Sequence, residues 1–302
     1  MANKLQASSG ASSRQNIKGY AFISPWILGF IAFLLLPIAM SIYYSFCDFN
    51  PLVKSGPLFI GTANFQDLAH DPIFWKALRN TFWYAAIAVP SSLVVSLGLA
   101  LLLNMRIPGQ PVFRTIIFLP SLVPTIASAM LWLWIYNSRY GLLDAMLDRI
   151  GITGPGWLTT TEWAMPSLMF MSLWGVGYTV VIFIAGLQDV PRELYESAEI
   201  DGASSIRRLW HVTLPLLSPV IFFNLIMAII GTFQVFATPY AMTQGGPDRA
   251  TYFYTYYIFD NAFTNNKMGY ACALGLIQLV IILALTGIAT WSSKRWVHYQ
   301  GR

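Results

Sequence analysis

Apolar residues run almost unbroken through six stretches of this chain: 20–46, 79–104, 112–136, 165–188, 216–240 and 271–292. Each reaches the roughly 20 residues that a helix needs to cross a hydrocarbon layer. The pattern predicts an all-α, polytopic bundle of about six membrane helices. The first stretch is too long for a signal-peptide core, and no small-residue cleavage site follows it. Pro90, Pro120, Pro124 and Pro239 fall inside or beside these stretches, where neighbouring helices can satisfy the carbonyls a proline frees. The stretch 112–136 has two prolines four residues apart and is expected to kink. Residues 1–19, polar and rich in serine, are expected to form a disordered tail, and 20–302 the membrane domain.

The polar pattern is densest between the fourth and fifth stretches, from Pro191 to Pro219. Pro191 suits a helix start because its missing N–H would have no partner there. Asp189 and Glu193 suit the positive end of the helix dipole. Leu194 and Ala198 share one face, and Glu193 and Glu196 another. Asp201-Gly202 breaks this helix, since glycine accepts the positive φ that a helix end demands. A second short helix carries Ile206, Leu209 and Trp210 as an apolar stripe beside Arg207 and Arg208, and Pro215 is expected to stop it. Such an acidic-then-basic hairpin reads either as a docking element or as a solvated loop resting on headgroups.

The other connections are longer. Asp67, His70 and Asp71 lie together at 48–78, where one histidine beside two acids reads as solvated and not as a metal site. Leu142 to Ile150 reads as an interfacial helix, with Gly-Pro-Gly-Trp ending at Trp157 as its aromatic anchor. Thr243-Gln244-Gly245-Gly246-Pro247 is a turn signal. Tyr252, Tyr254, Tyr256, Tyr257 and Phe259 after it read as an aromatic belt at the membrane interface.

Composition agrees with a membrane chain: of 302 residues, 56% are hydrophobic and 10% charged. The net charge of +5 is no nucleic-acid signal, because the basic residues sit in short connections and report orientation. With the N-terminus inside, Lys4, Arg14, Lys18, Arg106, Arg114, Arg192, Arg207, Arg208, Lys294, Arg295 and Arg302 face the cytoplasm, eleven of the 18 Lys and Arg. Both termini and the 191–219 hairpin are therefore expected there. Cys47 and Cys272 lack metal or redox spacing and read as small apolar fillers.

Under this topology every charged residue lies outside the hydrocarbon core, which argues against an ion-coupled secondary carrier acting alone, the alternative reading. There is no phosphate-binding loop, so the chain is not expected to bind ATP, and no cofactor is expected on it. His70, His211 and His298 are too scattered to converge, and no catalytic triad is readable. A membrane enzyme or scaffold is the weaker rival.

Glu196-Ser197-Ala198, Asp201-Gly202-Ala203 and Leu214-Pro215 resemble the EAA loop of ATP-binding-cassette importer permeases, with Ser197 in place of the middle alanine. The likeness continues from about Phe82 to Trp296 and is specific to the carbohydrate-uptake branch (maltose, glycerol-phosphate and multiple-sugar types). It includes Gly-Leu-Gln-Asp-Val-Pro at 186–191, Gln-Gly-Gly-Pro at 244–247 and Met268-Gly269-Tyr270-Ala271. The first eighty residues match only in character. The resemblance implies an inner-membrane permease subunit without enzymatic activity. Its implied partners are a second EAA-loop permease, two ATPase subunits that hold ATP and magnesium, an extracytoplasmic solute-binding protein, and lipid. It also implies that Glu193, Glu196, Ala198, Asp201, Gly202, Ala203, Leu214 and Pro215 couple to the ATPase.

A sugar site needs aromatic faces and neutral hydrogen-bonding groups. The polar residues of the flanking spans are candidates: Trp174, Gly175, Tyr178, Asn224, Thr232 and Gln234. Counting from the Pro191 and Gly-Gly-Pro anchors, Trp174, Gly175, Tyr178 and Thr232 fall near sugar-contacting positions of maltose-type permeases. For each, packing or an interhelical hydrogen bond is the competing role.

Overall fold

The computed structural model describes residues 7–54, 56–105 and 108–298, with side chains from residue 19 onward. In chain order the helices are α1 (Ala7–Phe30), α2 (Leu36–Ser45), α3 (Ala63–His70), α4 (Pro72–Asn104), α5 (Gln110–Phe118), α6 (Thr125–Ile135), α7 (Leu142–Asp148) and α8 (Thr161–Trp174). There follow α9 (Gly177–Gln188), α10 (Arg192–Ile200), α11 (Ser205–Arg208), α12 (Leu214–Phe233), α13 (Ala237–Met242), α14 (Tyr254–Phe259) and α15 (Met268–Ser293). Between α2 and α3, β1 (Cys47–Asp48) and β2 (Leu58–Phe59) form a small antiparallel hairpin. The all-α expectation holds.

Among the described residues, four helical runs are long and apolar enough to cross a membrane: Gly19–Ser45, Pro72–Asn104, Ser205–Phe233 and Met268–Ser293. Two bent pairs raise the number to six, Gln110–Leu122 with Thr125–Ile135 at 101°, and Thr161–Trp174 with Gly177–Gln188 at 47°. The first bend is the expected kink, at Pro120 and Pro124. The second bend lies within the expected span 165–188, which breaks at Gly175. The fifth span also shifts: it starts at Ser205 and ends at Phe233, and 234–240 belong to the turn and α13. Lys76 and Arg79 lie in the first turns of α4, Glu162 at the start of α8 and Arg114 within α5; Lys76 and Glu162 fall on helix ends outside the six apolar stretches, Arg79 and Arg114 near the ends of two of them. The tail expectation is corrected too: 7–19 is helical, continuous with the first span. Residues 1–6, Arg106 and Arg302 lie outside the described residues.

The chain divides into two compact units. One comprises 1–68 and 261–276. In it Asn64 Nδ2 donates to the carbonyls of Ser45 (2.9 Å) and Cys47 (3.0 Å), closing the end of the first span. The Gly269 N–H meets the Phe49 carbonyl at 3.1 Å, and a Cβ there would fall 2.0 Å from the Cys47 carbonyl oxygen. That close approach explains the glycine of the Met-Gly-Tyr-Ala motif. Cys47 and Cys272 are free thiols.

The other unit holds 69–260 and 277–302. Its helix α4 serves two cores, one around Tyr84, Ala88, Trp132, Tyr136, Met165 and Phe253, the other around Ala100, Leu103, Val180, Phe183, Ile184 and Leu217. The aromatic belt expected at 252–259 is corrected here. Tyr254 is 1% exposed and Tyr257 5%, because Asn80 donates to the carbonyls of Arg249 (2.8 Å) and Tyr252 (3.1 Å), and Thr81 Oγ1 accepts from the Tyr254 N–H (2.9 Å). Burial, then the Asp260 carboxylate that accepts from its hydroxyl at 2.5 Å, push the Tyr252 phenol well above its ordinary range. Asp71 caps α4 by accepting from Ile73 N–H (2.8 Å), and it also receives the Tyr257 hydroxyl. The half-buried Trp157 is held from within: its indole donates to buried Asp144 at 2.9 Å.

Candidate docking hairpin and solute cavity

The stretch 192–208 folds by local bonds. Helix α10 starts after Pro191, which is extended (φ −58°, ψ 133°). It ends in a Schellman closure: Ala203 N–H bonds to the Ala198 carbonyl (2.8 Å) and Gly202 N–H to that of Glu199 (3.0 Å), with Gly202 at φ +75°. Ser204 Oγ then accepts from Arg207 N–H at 3.4 Å to open α11. The expected break at Asp201-Gly202 is therefore present, and Glu193, Glu196 and Asp201 are all exposed on it. So are the apolar Ile200, Ile206 (71%) and Trp210 (64%).

Two contacts on the hairpin escape a reading of motifs. Arg208 forms an ion pair with Glu199 across the turn. The hydroxyls of Tyr195 and Thr213 lie 3.0 Å apart and fix α10 against the next helix. Opposite charges flanking Asp-Gly were the available signal for the first. Pro215 requires a correction, because it does not stop the second helix. Leu209–Thr213 form a wide π-helical turn in which the Leu214 N–H reaches the Leu209 carbonyl, and Pro215 sits in the first turn of α12. The wider turn absorbs the missing proline N–H, so the hairpin runs on into the span without a joint.

The cavity lies where both broken pairs break. Tyr84, Pro120, Ser121, Val123, Thr125, Ser128, Leu168, Met171, Ser172, Trp174, Gly175 and Thr238 enclose about 210 Å³. Its polar lining residues are mostly hydroxyl-bearing: Tyr84, Ser121, Thr125, Ser128, Ser172 and Thr238. A Cβ on Gly177 would fall 2.9 Å from the Ile117 carbonyl oxygen, Phe118 Cα and Ser121 Oγ, so the absent side chain lets the two breaks pack together. Broken helices at such a site offer backbone polarity where it lines a cavity.

Of the six residues expected at a solute site, the structure brings Trp174 and Gly175 to this cavity. Trp174 packs edge-on to Trp132, with centroids 6.1 Å apart. Tyr178 instead packs on Phe118 at 5.2 Å, outside the lining. Asn224 is buried and donates to the Val220 carbonyl of its own helix (2.9 Å). Thr232 and Gln234 sit at the end of α12, where Gln234 N–H caps onto the Gly231 carbonyl (3.2 Å). The hydroxyls of Ser121, Thr125, Ser128, Ser172 and Thr238 were missed, since small polar residues in an apolar run carry no distinct pattern.

A polytopic helical subunit with an exposed charged hairpin and a cavity at paired helix breaks describes a membrane permease component. The chain belongs to the family of binding-protein-dependent transport system inner membrane components, whose pattern matches residues 92–298. Such a component is a non-catalytic subunit. The probable ABC transporter permease protein YesP of Bacillus subtilis (strain 168) is 36% identical over 294 residues, 96% of this chain and 94% of that one. The sulfoquinovosyl glycerol transport system permease protein SmoG of Agrobacterium fabrum is 34% identical over 256 residues, 84% and 83% of the two chains. In fold, the chain is similar to one from a solved bacterial alginate ABC transporter in complex with an alginate pentasaccharide-bound periplasmic protein. That match has a TM-score of 0.82 at 23% identity and covers 94% of this chain and 96% of that one.

Proposed function

We propose that this chain is the transmembrane permease subunit of an ATP-driven importer for a sugar or sugar-like solute, lying in the cell membrane with both termini in the cytoplasm. The observation that carries the reading is the hairpin: locally self-closed, with acids and large apolar side chains turned outward, and continuous with the span Ser205–Phe233. A partner ATPase that grips Glu193, Glu196 and the Asp201-Gly202-Ala203 turn would move Leu214, Pro215 and the rest of that helix as one body. ATP and magnesium belong to that partner. A second EAA-loop permease completes the pathway, and an extracytoplasmic binding protein delivers the solute. The naming of SmoG for a sugar-bearing solute, and the periplasmic protein in the alginate complex, support these partners.

Trp174 and Gly175 contact the solute in this reading, together with the hydroxyls around the 210 Å³ cavity. Tyr178, Asn224, Thr232 and Gln234 contribute to shape and packing. Glu196→Ala tests the proposal in the reconstituted transporter: solute-stimulated ATP hydrolysis and uptake are expected to fall at least about tenfold, the loss of one buried charged contact worth ~1.4 kcal/mol or more. Wild-type uptake by the variant, or uptake by this chain alone on an ion gradient, would remove it.

A further inference from the structure

Beside the hairpin lies a second, larger groove of about 1190 Å³, bounded by the ends of α4, α5 and α9 and by α10 and α11. Three guanidinium groups line it: Arg114, Arg192 and Arg208. Arg208 is taken by Glu199. Arg114 is half-buried, and one Nη2 donates to the Leu103 carbonyl at 3.2 Å, which suits a cation at the C-terminal end of α4. Its Nε is buried with no partner among the described residues. A buried donor left unpaired is costly, and the described residues supply no acceptor for this one, so the guanidinium is not spent on ion pairs with them. Arg192 is exposed on the same groove. Against these stands Glu196, which the proposed function commits to the ATPase.

We propose that this groove holds a phosphate-bearing anion between Arg114 and Arg192, and that an anionic lipid headgroup supplies it. The choice of a lipid over free phosphate rests on α5. Val112, Phe113 and Ile116 are exposed on the helix that carries Arg114, giving acyl chains an apolar surface beside the cationic groove. Basic pockets between membrane helices at the cytoplasmic side recognise such headgroups. The inference rests on the proposed function for placing the groove at that side and for engaging Glu196 with the ATPase.

The test is native mass spectrometry of the full-length chain purified in complex from membranes containing phosphatidylglycerol, without ATP or solute, so that a failure of transport coupling cannot mimic a failure here. Wild type should retain phosphatidylglycerol, and Arg114→Gln should lower retention about fivefold, the effect of one basic contact. Arg114→Lys should restore part of it. If Arg114→Gln does not assemble, Arg192→Gln carries the same test. In a second arm, delipidated complex is offered radiolabelled inorganic phosphate. Binding to wild type but not to the variants, with no lipid retained by either, would overturn the lipid assignment in favour of a free anion. Equal lipid retention by wild type and both Gln variants, with no phosphate bound, would overturn the site.

Discussion

The helix Ser205–Phe233 connects two polar regions that look alike as stretches of sequence and are held in opposite ways. The hairpin before it, 192–208, closes on itself through the Schellman bonds, the Ser204 cap and the Glu199–Arg208 pair, with Tyr195–Thr213, 18 residues apart, as its longer tie to the next helix. The connection after it, 243–260, is clamped from far away, by Asn80 and Thr81 on α4, 169 to 173 residues distant in the chain. Its Tyr254, Tyr256 and Tyr257 are core, whereas Ile200 and Ile206 of the hairpin are bare. A self-closed element with bare faces is ready for a partner. A region bound into the core is a fixed abutment.

Mutations can break this contrast, and the largest effect should come from the abutment. Asn80→Ala removes a buried side chain that holds two part-buried carbonyls, those of Arg249 and Tyr252, and should lower stability by about 2–3 kcal/mol, read by thermal unfolding in detergent. Hydrogen exchange should rise at 249–254 and stay unchanged in the hairpin. Gly245→Ala combines φ +79° with a Cβ only 2.6 Å from the Tyr252 ring, for a loss of about 2 kcal/mol by the same measurement. Gly202→Ala meets no atom within 4 Å, so only its φ of +75° opposes the change, and about 1 kcal/mol is expected. Glu199→Ala removes a surface ion pair and should cost about 0.5 kcal/mol or less. Were Glu199→Ala as damaging as Asn80→Ala, the hairpin would not be the self-contained element described here.

The same contrast explains what the sequence made legible. The hairpin could be read because its signals are local: Asp201-Gly202 for the break and Pro191 for the start. The proline bend at 120–124 was legible for the same reason. The second bend was not, because Gly175 and Gly177 break and pack a helix through space that only the neighbouring α5 defines. Asn80 gave no hint of holding Arg249 and Tyr252, so five aromatics in a row read as a belt. Pro215 misled in the other direction, since a π-helical turn let the helix absorb it. At the cavity, Trp174 and Gly175 stood out, whereas the hydroxyls of Thr125, Ser128 and Thr238 were anonymous among apolar neighbours.

The central claim, that the hairpin is gripped by a separate ATPase on the cytoplasmic side, is tested most directly by a single cysteine at the exposed Ser197, in a background where Cys47 and Cys272 are replaced by serine. In right-side-out membranes that thiol should resist a membrane-impermeant maleimide, and a short bifunctional reagent applied to inverted vesicles should join it to the ATPase subunit. Labelling from the outer side, or crosslinked products that never contain the ATPase, would contradict the account.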